Sequence, residues 1–384
     1  MTPIVIIGTG FAGYTLAREF RKLDSETPLL LVTSDDGRSY PKPMLSNALT
    51  KGKTADELAL SDANAMAKTL KAEIVTNSVV SKIDPQAQVI TFVDGKQLKY
   101  KQLVLAVGAK PIPINIKEIG DNAISINSLN DYSVFRAKLE TANHVALIGP
   151  GLIGCEFAND LINVGKKVSV IGPDPYPMSS LLPKPIAEEL KAKLAETGVN
   201  WYLETTVSEV NKHGSQGYKI TLANGEVINA DIIVSAIGLR PNIELADVAN
   251  LDVAGGIMTD KFLQTSQPNI FALGDCAEVA GHNLLFIAPI LVSARALANT
   301  LSGSLTAVKY PAMPVAIKTP AYPLVVSPPP HAAIGQWQFE PAPSGFGIKG
   351  LFRGEKNGLL GFVLSGDTLS EKQALAKQLP ALLG

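Results

Sequence analysis

Two sets of three glycines carry the clearest chemistry in this chain: Gly8, Gly10 and Gly13 in GTGFAG, and Gly149, Gly151 and Gly154 in GPGLIG. Each set follows a short apolar run and opens a stretch with helical spacing. The first glycine allows a tight turn, the second lets a backbone approach a pyrophosphate, and the third lets the helix pack close to the strand. The unpaired N–H groups and positive end of the helix then face the phosphates. Thr9, Phe11 and Ala12 lie on the first of these turns and are expected against the same ligand. A third element, FALGDCAEV, places Asp275 after Gly274 at the end of an apolar run, where a carboxylate can accept a hydrogen bond from a sugar-chain hydroxyl. The only cysteines, Cys155 and Cys276, are far apart and form no C-x-x-C pair, so both are read as packing residues. His144, His213, His282 and His331 show no metal-ligand spacing, and no metal is expected.

Elements of two kinds are needed to hold these turns. Ile4–Ile7 and PLLLVT (28–33) read as buried strands, with Phe11, Leu16, Ala17 and Phe20 marking the helix between them. His144 onward repeats that order, with a helix over Ile153–Val164 and a second strand in KKVSVIG. LVLAVGAKP (103–111) and IIVSAIGLRP (232–241) repeat a later strand, glycine and proline, so the duplication is of whole domains. Residues 54–72 and Lys184–Glu196 read as helices, and EIVTNSVVSKID and QVITFVDGKQLKY as strands. At 384 residues the chain exceeds the roughly 250–300 that one core supports. A net charge of −1 gives no overall basic field for nucleic acid. The apolar run NLLFIAPILVSARALA is interrupted at Ser293 and Arg295, short of the ~18 residues of a membrane span. No signal peptide is read at the N-terminus, and a cytoplasmic protein is expected.

GTGFAG, LVLAVGAKP, GPGLIG, IVSAIGLRPN and IFALGDCAE, in that order, resemble the two-dinucleotide-binding-domain flavoprotein reductases. The resemblance implies an α/β fold: two Rossmann-like FAD/NAD(P)-binding domains of the glutathione-reductase kind plus a small α+β C-terminal domain. Residues 1–108 and 238–312 would form the FAD domain, 109–237 the NAD domain and 313–384 the tail. FAD would lie on the first glycine turn and Gly274-Asp275, and the nicotinamide cofactor on the second turn. The acid that such proteins place after the second strand is missing, which leaves the FAD ribose to Thr33, Ser34 or Asp35. In the NAD domain Gly172 stands at that place, and no arginine cluster follows to grip a 2′-phosphate, so NADH is expected. Val80 matches the strand whose backbone meets the adenine. Ile287, in a helix read as starting near Leu284, faces the flavin pyrimidine by the same resemblance. Glu156, read in the first turn of its helix, resembles the acid between nicotinamide and flavin. Lys42 stands where thiol-using relatives carry a cysteine, so direct reduction of an external acceptor is implied. Lys42 and Lys318 are candidate cations for a reduced, anionic flavin. Trp337 is assigned to the core of the tail.

DDGRSYPKPMLS, GLIGCEFANDL, LGDCAEV and KTPAYPLVVSPPP are similar to the rubredoxin reductases of bacterial alkane-oxidation systems. That implies NADH as donor and rubredoxin, a small acidic iron protein met in a transient complex, as acceptor. Arg295, Lys309, Lys318, Arg353 and Lys356 are candidates for the receiving surface. A ferredoxin reductase or NADH oxidase of the same architecture, and a redox sensor that does not turn over, remain alternatives. A monomer is expected, because no dimerisation arm extends past the tail.

Overall fold

The computed structural model describes residues 2–116, 123–214 and 217–384. The two glycine turns sit at equivalent points of two similar sheets. The first sheet is parallel, in the order Ile270–Ala272, Gln102–Leu105, Ile4–Ile7, Leu29–Val32 and Glu73–Val75. The second is also parallel, in the order Val199–Tyr202, Lys167–Ile171, His144–Ile148, Ile232–Ser235 and Ala123–Ile124. Ile7 pairs with Val32 in the first, as Ile148 pairs with Ile171 in the second. The inner strands Ile4–Ile7, Leu29–Val32 and Ile232–Ser235 are buried at every residue, as strands of a parallel sheet covered on both faces are. Each unit also carries a three-stranded antiparallel sheet, Val80–Asp84, Val89–Phe92 and Gln97–Lys99 in one and Val207–His213, Gly217–Leu222 and Val227–Ala230 in the other.

The units meet along a short antiparallel pair, Ala109–Pro111 with Leu239–Pro241, which are the matching ends of the duplicated segments. Asn242 donates its N–H to Gly108 and Ile112 donates its own to Gly238, so the crossing is close to symmetric. The remaining sheet is antiparallel: Val315–Ile317, Leu324–Ser327, Leu359–Ser365, Ile348–Gly354 and Gly335–Pro341, with the helix Lys372–Ala376 beyond it. Its inner residues Ile317, Leu324, Val326 and Val363 join one buried apolar cluster with Leu45 and Phe157. The tail is therefore packed into both other regions. Trp337 is only half buried, packed against Phe339 and Phe352.

Several elements depart from the sequence reading. Residues 54–72 form two helices, Ala55–Leu58 and Ala63–Leu70, each with its own cap, at Thr54 and Asp62. The break is fixed by a bridge between Ser61 and Ser39. EIVTNSVVSKID is divided between Glu73–Val75 in the parallel sheet and Val80–Asp84 in the three-stranded antiparallel sheet. The helix expected near Leu284 begins at Ile287 and runs to Leu301.

Candidate functional site

One cleft of about 1380 Å³ runs past both glycine turns. Of the residues picked out from sequence, Gly8, Thr9, Gly10, Phe11, Ala12, Thr33, Ser34, Asp35, Lys42 and Val80 line it. Gly149, Gly151, Glu156, Asp275, Ile287 and Lys318 line it as well. Gly13, Gly154 and Gly274 do not. A β-carbon at Gly13 would lie 1.9 Å from the Gly8 carbonyl oxygen, and one at Gly154 2.0 Å from that of Gly149. These two glycines bring helix and turn into contact. One at Gly274 would meet the Ala12 methyl at 2.7 Å.

The turns themselves have left-handed backbones, with φ +112° at Gly8 and +114° at Gly149. A β-carbon at Gly8 would sit 2.2 Å from the Ala106 carbonyl oxygen, and one at Gly149 2.4 Å from that of Ala236. By contrast, nothing in the protein lies within 4 Å of a β-carbon built on Gly10 or Gly151. Both residues are helix N-caps with no side chain to fill the space in front of the unpaired N–H groups. That open cradle at a helix N-terminus fits a pyrophosphate, twice over.

Lys42 and Asp275 both line the cleft, near enough for each charge to act on the other. Lys42 begins the short 3₁₀ helix Lys42–Asn47 and donates to the side-chain oxygen of Asn127 at 3.2 Å. Asn127 is held in turn by donation to the Ala109 carbonyl. Burial lowers the Lys42 pKa and raises that of Asp275, and each charge partly offsets the other's shift.

Glu156 and Lys318 form an ion pair, Nζ to Oε2 at 2.5 Å, with Glu156 only 1% exposed and the Lys318 side chain 29% exposed. Ser46 donates to the same carboxylate oxygen at 2.6 Å, and the Lys318 N–H donates to Oε1 at 2.9 Å. Lys318 Nζ also donates to Ser46 Oγ and the Pro43 carbonyl. One expectation needs correction here. The helix starts at Leu152, so Glu156 stands in its second turn and no acid occupies the first. Lys318 lines the cleft with its side chain 29% exposed, and its charge is paired with Glu156.

The helix Leu152–Asn163 has more polar groups than Glu156 on its buried side, and sequence reading missed them. Asp160 accepts the N–H groups of Leu49 and Thr50, both at 2.9 Å, and Asn163, exposed at the helix end, donates to the Thr50 hydroxyl. Asn159 accepts the Ala321 N–H at 3.1 Å. One helix thus grips segment 46–50 of the first unit and segment 318–321 of the tail. The available signal was the polar set Glu156, Asn159, Asp160 and Asn163 at i, i+3, i+4 and i+7 in a helix read as buried. Ser46 and Asn127 gave no such signal.

Comparison with known proteins identifies this architecture. Residues 2–299 match the family model described as pyridine nucleotide-disulphide oxidoreductase. The chain belongs to that family. Residues 307–379 match a second model, the rubredoxin binding C-terminal domain. The chain is 45% identical over 386 residues to the rubredoxin-NAD(+) reductase of Alcanivorax borkumensis, covering all of both chains. Among solved structures, it superposes on the putidaredoxin reductase of a covalent complex with putidaredoxin at TM-score 0.89 and 25% identity, covering 99% of this chain and 94% of that one. The NADH:rubredoxin oxidoreductase of Clostridium acetobutylicum shares the fold at TM-score 0.81 and 20% identity, with 98% and 94% covered.

Neither thiol of the chain lines the cleft. Cys155 and Cys276 are fully buried, and each Sγ is directed to backbone carbonyls, Pro150 for one and Leu105 and Leu273 for the other. Burial raises both thiol pKa values, that of Cys276 to about 11, so neither is a ready nucleophile. The 3₁₀ segment lining the cleft presents Lys42 to it. The region matched by the rubredoxin-binding model reaches the same cleft through Met313, Pro314, Val315, Ala316 and Lys318. No helix among the described residues is long and apolar enough to cross a membrane.

Proposed function

We propose that this oxidoreductase passes electrons from NADH through FAD to rubredoxin. The observation that carries the reading is the shared cleft: both dinucleotide turns and segment 313–318 of the tail line one continuous space. FAD, when bound, supplies the conversion of a two-electron hydride donor into successive one-electron deliveries. The protein's share is position and charge. The first turn with Asp35 and Asp275 would hold FAD, and the second would hold NADH with its reactive ring towards Glu156 and Lys42. The ion pair of Glu156 and Lys318 would form part of the wall beside which the two reactive rings meet. With both cysteines buried, no thiol relay stands between this site and the acceptor. The alkane-oxidation setting and a transient partner complex belong to the same reading and rest on the sequence resemblance; a single-copy enzyme is proposed with them.

Stopped-flow mixing tests this. After reduction by NADH, the protein is offered rubredoxin, a [2Fe–2S] ferredoxin and oxygen in turn. Fast loss of reduced-flavin absorbance with rubredoxin alone is the expected result; equal or faster reoxidation by ferredoxin or oxygen favours the alternative acceptors. Rubredoxins are acidic, and Lys309, Arg353 and Lys356 lie in the matched tail. The rubredoxin step should therefore slow as salt rises to physiological strength while flavin reduction hardly changes. Arg295 is exposed on the helix Ile287–Leu301, outside that region.

Lys42→Ala should retain FAD and slow flavin reduction or reoxidation on the order of tenfold. That is below the roughly hundredfold loss of a donor to a localised oxyanion, because the charge of a reduced flavin is spread over a ring. Unchanged stopped-flow rates would remove Lys42 from the reaction.

A further inference from the structure

The strand-end acid usual for a dinucleotide ribose is absent from both units, and the duplication shows where it went. In the first unit Gly8 donates to the Val32 carbonyl and Thr33 follows; in the second Gly149 donates to the Ile171 carbonyl and Gly172 follows. Thr33 donates to the Val75 carbonyl of the next strand, as Gly172 does to that of Tyr202. Thr33 and Gly172 are thus equivalent, and two residues beyond them stand Asp35 and Asp174.

Gly172 has no room for an acid. A β-carbon there would sit 2.2 Å from Cδ and 2.6 Å from Cγ of Pro150, the middle residue of GPG. Pro150 also anchors the following loop, since its carbonyl accepts the Met178 N–H at 2.8 Å. That loop brings Pro173, Asp174 and Ser180 to the wall of the cleft beside Pro150 and Gly151. Ser179 donates its hydroxyl to Asp174 Oδ1, and Asp174 is half buried. In the first unit Asp35 Oδ1 accepts the Thr33 hydroxyl at 2.6 Å and the Gly37 N–H at 3.0 Å. Both carboxylates are therefore fixed through Oδ1, and Oδ2 of each has no protein hydrogen bond among the described residues. The basic side chains lining the cleft, Arg38, Lys42 and Lys318, all lie outside 144–235.

We infer that Asp174, displaced two residues past the strand end by the Pro150–Gly172 contact, accepts the adenosine ribose hydroxyls of NADH and excludes a 2′-phosphate. A fixed carboxylate with a free oxygen takes a pair of neighbouring hydroxyls and repels a phosphate dianion. Asp174 is a specificity residue here, not a catalytic one. The inference rests on the reading of the 144–235 unit as the NADH site.

Binding calorimetry on oxidised, FAD-loaded protein separates the two, because NAD+ and NADP+ do not react with oxidised flavin. Wild-type protein should prefer NAD+. Asp174→Asn should weaken NAD+ by about tenfold, the loss of a hydrogen bond to a charged group, and narrow the preference while FAD content stays unchanged. Ser179→Ala, which frees the carboxylate to rotate, should give a smaller shift in the same direction. An NAD+ Kd within about twofold of wild type in Asp174→Asn, with FAD retained, overturns the assignment of Asp174. Failure of wild-type protein to bind NAD+ at all overturns the assignment of the whole unit.

Discussion

Gly10→Val should yield a folded protein without bound FAD, colourless after purification. The argument rests on a contrast within one turn. At Gly8 any side chain collides with the Ala106 carbonyl and the backbone is left-handed. A substitution there disrupts the protein and the ligand site together. At Gly10 φ is −67°, which any residue adopts, and the protein leaves the space beyond Cα empty. An added isopropyl group therefore costs the fold little and fills the volume that the pyrophosphate needs. Gly151, with φ −74° and the same open space, is its counterpart. Gly151→Val should stay yellow, keep its melting temperature and lose flavin reduction by NADH. Absorbance at the flavin maximum, thermal melting and anaerobic NADH titration check both variants. Retained FAD in Gly10→Val, or normal NADH reduction in Gly151→Val, would mean that the dinucleotides lie elsewhere.

Lys318→Met should lower stability by about 3 kcal/mol, read from chemical denaturation. The substitution removes the partner of a carboxylate that is almost fully buried, while the Ser46 and Lys318 N–H bonds to it survive. Those surviving bonds, and the access to water that a 29% exposed lysine implies, place the loss at the lower end of the range for a broken buried pair. Glu156→Gln combined with Lys318→Met should recover most of the loss, because no unpaired charge is left behind. Rubredoxin reduction should fall in the single variant more than NADH-to-flavin transfer. Lys318 opens the segment 318–322, which ties the tail to the second unit through Asn159 and through the Tyr322 hydroxyl bonded to Glu189. Equal stability of wild type and Lys318→Met would show that the pair contributes nothing net.

Much of the cofactor site was legible in the sequence because its constraints are local. A tight turn between a buried strand and a helix demands glycine at Gly8 and Gly149 through backbone sterics alone, and the apolar runs beside them identify parallel strands. The order of the repeated segments was legible for the same reason, since each copy carries its own periodicity and its own turn. Even the missing strand-end acid showed as a gap at Gly172. Its cause did not show, because the proline that excludes a side chain there lies 22 residues earlier and reaches it only across paired strands.

The wall of the site was decided by tertiary structure. Ser46, Glu156 and Lys318 come from three regions of the chain, with the ion-pair partners 162 positions apart. Nothing local to Lys318 distinguishes a solvated loop lysine from one held against a buried carboxylate. The same holds for residues 54–72, where a bridge to Ser39 breaks a continuous helical pattern. Short-range sterics and periodicity are properties of a segment and can be read from it. The burial of a charge depends on which surfaces dock, and that is set only when the three sheets pack together.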